Sequence, residues 1–408
     1  MSQLKKDYKK IAKLEFLNSN GSVAFTLDDN YHNSRSAFFI QSGSFSCNLQ
    51  SGRRRQMDVT FANNSHLFDY IVNNVWFGQQ LRYSEGLILP DGTPYYIPQG
   101  VFEIEKPSES IKSNLNEITY HLVDKWANLD GGLLGNLDGD YSVEAGTNIF
   151  SAISSVLLLD RYTLESPGQH PIDPVSPLIT SYYNGKTQTL TDGSVVNLVD
   201  APYDLLVEGG KTLADVVKGL SDVLAAWVGY NNFGRLVVDP SQDDILDTSK
   251  PIMWDFSMDE KQLISLDYQT DVPDVYNDVI VVGASNDDYT TARGRAQNRD
   301  PSSDTCISRI GLKTKIIEMP NYYSNDICEA YAEWMLKRYA TVNKTVTVTC
   351  TQMFHIQENK LITIRRTDKP GSPVERHLVQ GFTRPISEKG NMTLSCVSVN
   401  DFPIATIV

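Results

Sequence analysis

A chain of 408 residues, 41% of them hydrophobic, is too long for one ordinary core and rich enough to fill several. That predicts about two to four domains and argues against wholesale disorder. The formal charge of −14 is uneven: nine basic against five acidic side chains over 1–60 (+4), four against eight over 61–129 (−4), six against twenty over 130–260 (−14), and seventeen of each over 261–408. Such an acidic middle repels phosphate backbones and argues against a protein that grips nucleic acid, and no apolar run of about eighteen residues is present to span a bilayer.

The basic stretch Met1–Lys13 has no apolar core of a secretory signal and is expected as an exposed leader ahead of the first strand. Phe45, Cys47 and Leu49, then Met57, Val59 and Phe61, alternate around the turn-like segment 50–56 and predict a β-hairpin. Leu67, Phe68, Ile71, Val72 and Val75 keep a helical period over His66–Trp76. Phe102 and Ile104, then Ile118, Tyr120 and Leu122, predict a second strand pair, with Pro107 and polar residues between them.

In the middle third, Ile149, Phe150, Ile153, Val156 and Leu157 form one face of a helix within 146–159, followed by an irregular Pro-rich stretch from Pro167 to Pro202. The clearest helix starts at Thr212, with Asp215 completing a capping box. Its apolar stripe runs through Leu213, Val216, Val217, Leu220, Val223, Leu224, Trp227 and Val228, and Gly229 is expected to end it.

The last third returns to strands. Val275–Val282 reads as a buried strand, and the polar segment Ala284–Thr305 as an exposed or flexible loop. A helix is expected over 324–340, with Asp326 and Glu329 in its first turn and Lys337 and Arg338 at its end, as the helix dipole favours. Four strands follow, at Thr345–Cys350, Leu361–Ile364, His377–Phe382 and Met392–Val399, the last with a phase slip between Cys396 and Val397 that predicts a bulge. No tandem repeat of 20–50 residues is visible. The division expected is 1–130, β-rich; 131–255, acidic, with two helices and irregular segments; and 256–408, β-rich with one helix.

No phosphate loop, dinucleotide fingerprint, HExxH, GxSxG elbow or histidine pair at metal spacing occurs. The five cysteines (Cys47, Cys306, Cys328, Cys350, Cys396) include no CxxC and fit a reduced place of synthesis. Asn-x-Ser/Thr triplets, among them those at Asn63, Asn343 and Asn391, are read as chance matches. Asp138-Gly-Asp140 lacks the further oxygen ligands and closing Glu of a calcium loop. Cys350 and His355 are the nearest approach to a thiol–imidazole pair, with a buried structural thiol the plainer reading. Arg53-Arg54-Arg55 is either solvated turn charge or an ion-paired subunit contact. No catalytic, cofactor-binding or metal-binding residue is assigned.

Several segments together resemble a known family. They are Gly43–Leu49, the arginine turn, Met57–Phe61, Asn74-Val-Trp76, Leu87–Pro98, Gly100–Ile104 and Asp124–Gly131, then Val275–Val282, a helix with Ala330, Ala332 and Glu333, and the strand from Thr345. In this order they resemble the tail hub and tail-associated structural proteins of phages infecting Gram-positive bacteria. The resemblance implies a β-rich α+β multidomain fold, with two related β-barrel-like hub domains flanking a mixed α/irregular domain. It also implies a homotrimer that presents six similar domains to a sixfold tail tube, and a place in the virion after assembly in the host cytoplasm. The implied partners are distal tail and tube proteins, the tape measure protein and tail-tip spike or receptor-binding proteins, with genomic DNA passing through unbound and no membrane insertion. Some relatives continue into a peptidase or fibre region; with the chain ending at Val408, such activity is expected on another chain. No enzyme activity or cofactor is expected. The competing readings are a tail-tip cell-wall hydrolase, which needs a cluster such as paired carboxylates, and a carbohydrate receptor-binding module using some of the twenty tyrosines and five tryptophans.

Overall fold

The computed structural model describes residues 10–18, 21–28, 40–63, 79–159, 185, 187–189, 194–197, 199–224, 226–240, 251–270, 275–285, 290–319, 322, 325–340, 344–368, 371, 373–386 and 390–399. The first third is a run of strands: β1 (Lys10–Leu17), β2 (Val23–Asp28), β3 (Ile40–Asn48), β4 (Arg55–Ala62), β5 (Gln80–Ile88), β6 (Pro94–Ile111) and β7 (Asn116–Asp124). β3 and β4 form the expected hairpin, and all six of its alternating apolar residues are buried.

Two expectations fail in this region. The basic start is already strand from Lys10 onward. β1 lies between β5 and β2, with Ile11, Leu14 and Phe16 buried, and Lys10 is drawn inward by a buried carboxylate described below. Pro107 sits inside β6, not between the two strands. β6 pairs with β5 over Pro94–Glu103 and with β7 over Phe102–Ile111, so beyond Ile104 one edge of β6 faces no strand among the described residues. A residue without an N–H is tolerated at such an edge. The helix expected at His66–Trp76 lies outside the described residues, as does most of the Pro-rich stretch.

The middle third contains β8 (Tyr141–Val143), α1 (Ile149–Leu157), β9 (Thr187–Thr189), β10 (Val195–Asn197), β11 (Leu205–Val207), α2 (Leu213–Val223), β12 (Ala226–Tyr230) and β13 (Leu236–Pro240). The apolar faces of α1 and α2 share one core with Val143, Leu205 and Tyr230. Thr212 and Asp215 form the capping box in both directions. α2 is shorter than its stripe suggested. It stops at Val223, and Trp227 and Val228 belong to a hairpin of β12 with β13. Aromatic and β-branched residues on both sides of the turn sequence Asn231-Asn-Phe-Gly234 favour pairing over helix continuation. Gly229, expected as a helix end, instead makes room for a buried arginine: a Cβ there would lie 2.7 Å from Nε of Arg54.

The last third holds β14 (Ile252–Ser257), β15 (Leu263–Thr270), β16 (Asp278–Ser285), β17 (Thr291–Gln297), β18 (Thr314–Glu318), α3 (Asn325–Tyr339), β19 (Lys344–Thr351), β20 (Leu361–Arg365), β21 (Glu375–Pro385) and β22 (Asn391–Ser398). β17 corrects the reading of Ala284–Thr305 as an exposed or flexible loop. It pairs with β16 and buries Ala292 and Ala296 in a core shared with Ile327, Cys328, Ala332 and Leu336 of α3. Small residues between arginines have little hydrophobic signal, yet they let a helix approach closely. The phase slip is also corrected. β22 pairs with β19 without interruption, and the extra residue is Gln380 on β21. Cys396 and Val397 are both buried because both faces of β22 are covered, one by the main core and the other by a small cluster that includes Trp227.

The main sheet runs β15-β19-β22-β21-β3-β4-β7-β6-β5-β1-β2, with β20 added to β21 and β14 to β20. Phe45 and Phe102 from one end of the chain share its core with Val348 and Leu394 from the other. The strand-rich class is as expected, but among the described residues the sheet does not close into a barrel.

The two halves of this sheet follow one plan. The neighbours β3-β4-β7-β6-β5-β1 and β15-β19-β22-β21-β20-β14 have the same spatial order, and matching members come in the same order along the chain. The registers agree as well. β3 carries an extra residue at Gln41 and β15 at Ile264, while β6 carries one at Glu105 and β21 at Gln380. Aligned on these bulges, Gly43 and Phe45 match Leu266 and Tyr268, and Ile104, Glu109 and Ile111 match Val379, Arg384 and Ile386. Two ladders depart from the plan: β1 is antiparallel to β5, whereas β14 is parallel to β20, and β6 carries an extra residue at Gln99 against β5 that β21 lacks against β20.

Candidate assembly interface

The halves join where Gly381–Pro385 of β21 runs antiparallel to Ser44–Asn48 of β3. The Leu49 N–H donates to the Gln380 carbonyl at 2.7 Å, and the Ile386 N–H to the Gly43 carbonyl at 2.9 Å. Gly43 has to be small: a Cβ there would lie 2.4 Å from the Asp58 carbonyl and 3.0 Å from Ile386.

A chain of buried charges crosses this junction. Lys10 Nζ lies 3.1 Å from one oxygen of Glu85, and Arg384 Nε lies 2.9 Å from the other. Tyr83 donates its hydroxyl hydrogen to Glu85, and Arg384 Nη2 donates to Gln99 Oε1 at 2.6 Å. Gln99 in turn donates to the Phe354 carbonyl at 2.9 Å. Arg55 donates to the Gln99 carbonyl at 2.6 Å and to Gln357 Oε1 at 3.0 Å, and pairs with Glu358. Burial opposes ionisation of Glu85, but Arg384 and Lys10 outweigh it and hold its carboxyl below the ordinary value. Glu358 is buried too and is held low by Arg55 and Arg54. Lys10 and Arg384 share Glu85 and Arg55 pairs with Glu358, so each of these ions has an oppositely charged neighbour and the network fixes how the halves meet.

Arg54 and Arg55 of the arginine turn are therefore not solvated, and Arg53, 24% exposed, is ion-paired within the chain. Arg53 bridges Glu105 and Asp130, each at 2.6 Å, while Arg54 and Arg55 are 2% and 1% exposed within the chain. Asp124 receives the Arg55 N–H at 2.9 Å and the Trp126 N–H at 3.1 Å, and burial pushes its carboxyl up to about 7. Sequence reasoning missed Lys10, Glu85, Gln99, Glu358 and Arg384. The available signal was a charged residue at an inward position of an alternating strand, as at Glu85 and Arg384.

The remaining candidates are separate from this network. Cys350 is a core residue whose thiol burial pushes up to about 12, the reverse of an activated nucleophile. His355 packs against Trp254 with ring centroids 5.4 Å apart, and burial lowers it to about 4. All five cysteines are free and buried. Asp140 accepts the Gly209 N–H at 2.9 Å, and Asp138 is exposed beside it. Among the described residues no group of three His, Cys, Asp or Glu side chains could hold a metal ion, and no helix is long and apolar enough to cross a membrane. Asp138, Asp140, Glu144, Asp204, Glu208 and Asp215 place the charge of the middle segment on its surface.

No protein-family model and no curated protein matches the chain. Solved structures do match it over nearly its whole length. A tail protein from Neisseria meningitidis MC58 aligns with a TM-score of 0.60 at 11% identity, covering 96% of this chain and 97% of that one. The 43 kDa tail protein of prophage MuSo2 from Shewanella oneidensis gives 0.56 at 11% identity, covering 95% and 98%. Prophage tail protein gp18 from Listeria monocytogenes gives 0.52 at 9% identity, covering 97% and 96%. The chain has the fold of phage tail proteins. Its likeness spans all three bacterial sources and does not single out phages of Gram-positive bacteria.

Proposed function

We propose that this chain is a structural virion protein, the hub of a phage tail tip or baseplate, which joins the tail tube to the tip or receptor-binding parts around the DNA conduit. The observation that carries this reading is the duplicated six-strand plan, in a fold shared with phage tail proteins. Two matching modules per chain let three chains present six similar modules, which meets the sixfold symmetry of a tube with a homotrimer. The halves of the sheet are then the two barrel-like modules, and the α1/α2 unit packs beside or below them. The tube and distal tail proteins, the tape measure protein and a spike or receptor-binding protein are its partners. The exposed acids of the middle segment suit a wall that DNA passes without sticking.

The role needs no catalysis, and the buried, high-pKa thiol of Cys350 supports that reading against a cysteine hydrolase. Imaging of intact particles should count three copies at the tail tip; absence of the chain from purified particles would overturn the proposal. Purified protein applied to host cell walls should give no clearing, and clear lysis would return the hydrolase.

A further inference from the structure

The internal junction of the two modules has an unused counterpart. β21 reaches past its own module to pair with β3. In the repeat alignment β6 matches β21 and β15 matches β3, so Lys106–Ser110 matches Gly381–Pro385 and Asp267–Tyr268 matches Ser44–Phe45. Neither counterpart has a partner strand on that side among the described residues: β15 ends the main sheet, and β6 beyond Ile104 pairs only with β7. Exposure tells the same story. Ile386 is 4% exposed against β3, while its counterpart Ile111 is 75% exposed; Phe45 is fully buried, while its counterpart Tyr268 is 38% exposed. Tyr268 and Leu266 pair with Val346 and Val348 at the partly exposed rim of the main core, with Arg366 over the Tyr268 ring.

We propose that the Lys106–Ile111 edge of β6 pairs antiparallel with β15 of a second copy of this chain, reproducing between subunits the seam that β21 and β3 make within one. The register follows from the internal seam: Ser108 opposite Gln269, Glu109 opposite Tyr268, and Ser110 opposite Asp267. The Ile111 N–H then donates to the Leu266 carbonyl of the next copy, as Ile386 donates to Gly43. Ile111 covers Leu266 and the part of the Tyr268 ring that Arg366 leaves exposed.

The contact is head-to-tail, so it builds a ring if the rotation between modules closes. The number of copies, three, is taken from the hub reading; the edges and their register are not. Two details make this seam looser than the internal one. Pro107 stands where Phe382 stands and has no N–H to donate, which removes one ladder bond. Leu266 replaces the Gly43 that admits Ile386 closely. Unpaired edges on a free chain invite unwanted pairing, and a proline there limits it until the proper partner arrives.

The test uses the full-length chain, whose native cysteines are all buried. A Ser108→Cys/Gln269→Cys double variant under mild oxidation should give disulfide-linked dimers and trimers and nothing larger. Each single variant, and the out-of-register pair Lys112→Cys/Gln269→Cys, should give none. Ile111→Lys should weaken association about ten-fold or more in native mass spectrometry without moving the melting temperature, because Ile111 is solvent-exposed in the single chain. A native trimer that never cross-links through 108 and 269 would discard the seam and leave the hub reading intact. A chain that stays monomeric and uncross-linked would also discard the seam, and the count of copies at the tail tip would still decide the hub reading separately.

Discussion

The first and last thirds of the chain build the same six-strand module and then use it differently. In the first, β3 and β4 are joined by a short arginine turn whose Arg53 and Arg55 are ion-paired inside the chain. In the second, the matching strands β15 and β19 are separated by β16–β18 and α3, which form a core of their own. The matching edges also differ: β3 is covered by β21, while β15 has no strand on its outer side among the described residues. A duplicated module can therefore keep its ladders and bulges while its turns and edges diverge. Ladders depend on alternation and backbone pairing, which many residues satisfy, whereas a turn or edge is set by what lies next to it.

Position by position, the two modules can be tested against each other. The largest effect is expected at Arg384. Arg384→Ala breaks a buried ion pair, leaves Glu85 to Lys10 and Tyr83 and removes one bond from Gln99, and should cost up to about 3–5 kcal/mol in denaturant unfolding. A loss below about 1 kcal/mol would mean that the network does not hold the modules together. Next comes pH. His355 is lowered to about 4 from an ordinary 6.5, so the folded state favours its neutral form. Its stabilisation is full above pH 6.5 and is lost as pH falls toward 4, an effect of up to about 3 kcal/mol. Asp124, raised to about 7, has the opposite dependence and loses its stabilisation as pH rises, so His355→Phe should make the melting temperature fall more steeply with rising pH between those limits. Glu85 and Glu358, held below their ordinary 4.5, should keep the protein acid-sensitive below about that pH in either form.

Gly43→Leu installs the residue of the other module at the closed seam and should cost roughly 1–3 kcal/mol by overpacking against Ile386. If chemical denaturation shows no loss, the seam is less tightly packed than its contacts indicate. Thr212→Ala removes the cap of α2 and should cost about 1 kcal/mol by the same measurement, with Ser at that position restoring most of it. The smallest effect belongs to Glu109, the counterpart of Arg384. It is exposed in the single chain, so Glu109→Ala should stay within about 0.5 kcal/mol at low protein concentration. A large loss there would break the equivalence of the two edges.

Alternation and helical period by themselves determined the local elements: the β3–β4 hairpin with its six inward residues, the Thr212–Asp215 capping box, the helix near 325–339 and the four closing strands. These patterns are legible because each records which side of one element faces away from water. What only the tertiary structure decided was everything set by a neighbour distant in the chain. Lys10 and Arg384 are inside because Glu85 is there, Trp227 leaves its helix for a hairpin that covers Val397, and β17 is buried by an approaching helix. The duplication belongs to the same group. Two sequences with little in common satisfy the same ladder because pairing uses backbone groups that every residue but proline carries in full, so the repeat became visible only when the strands were laid side by side.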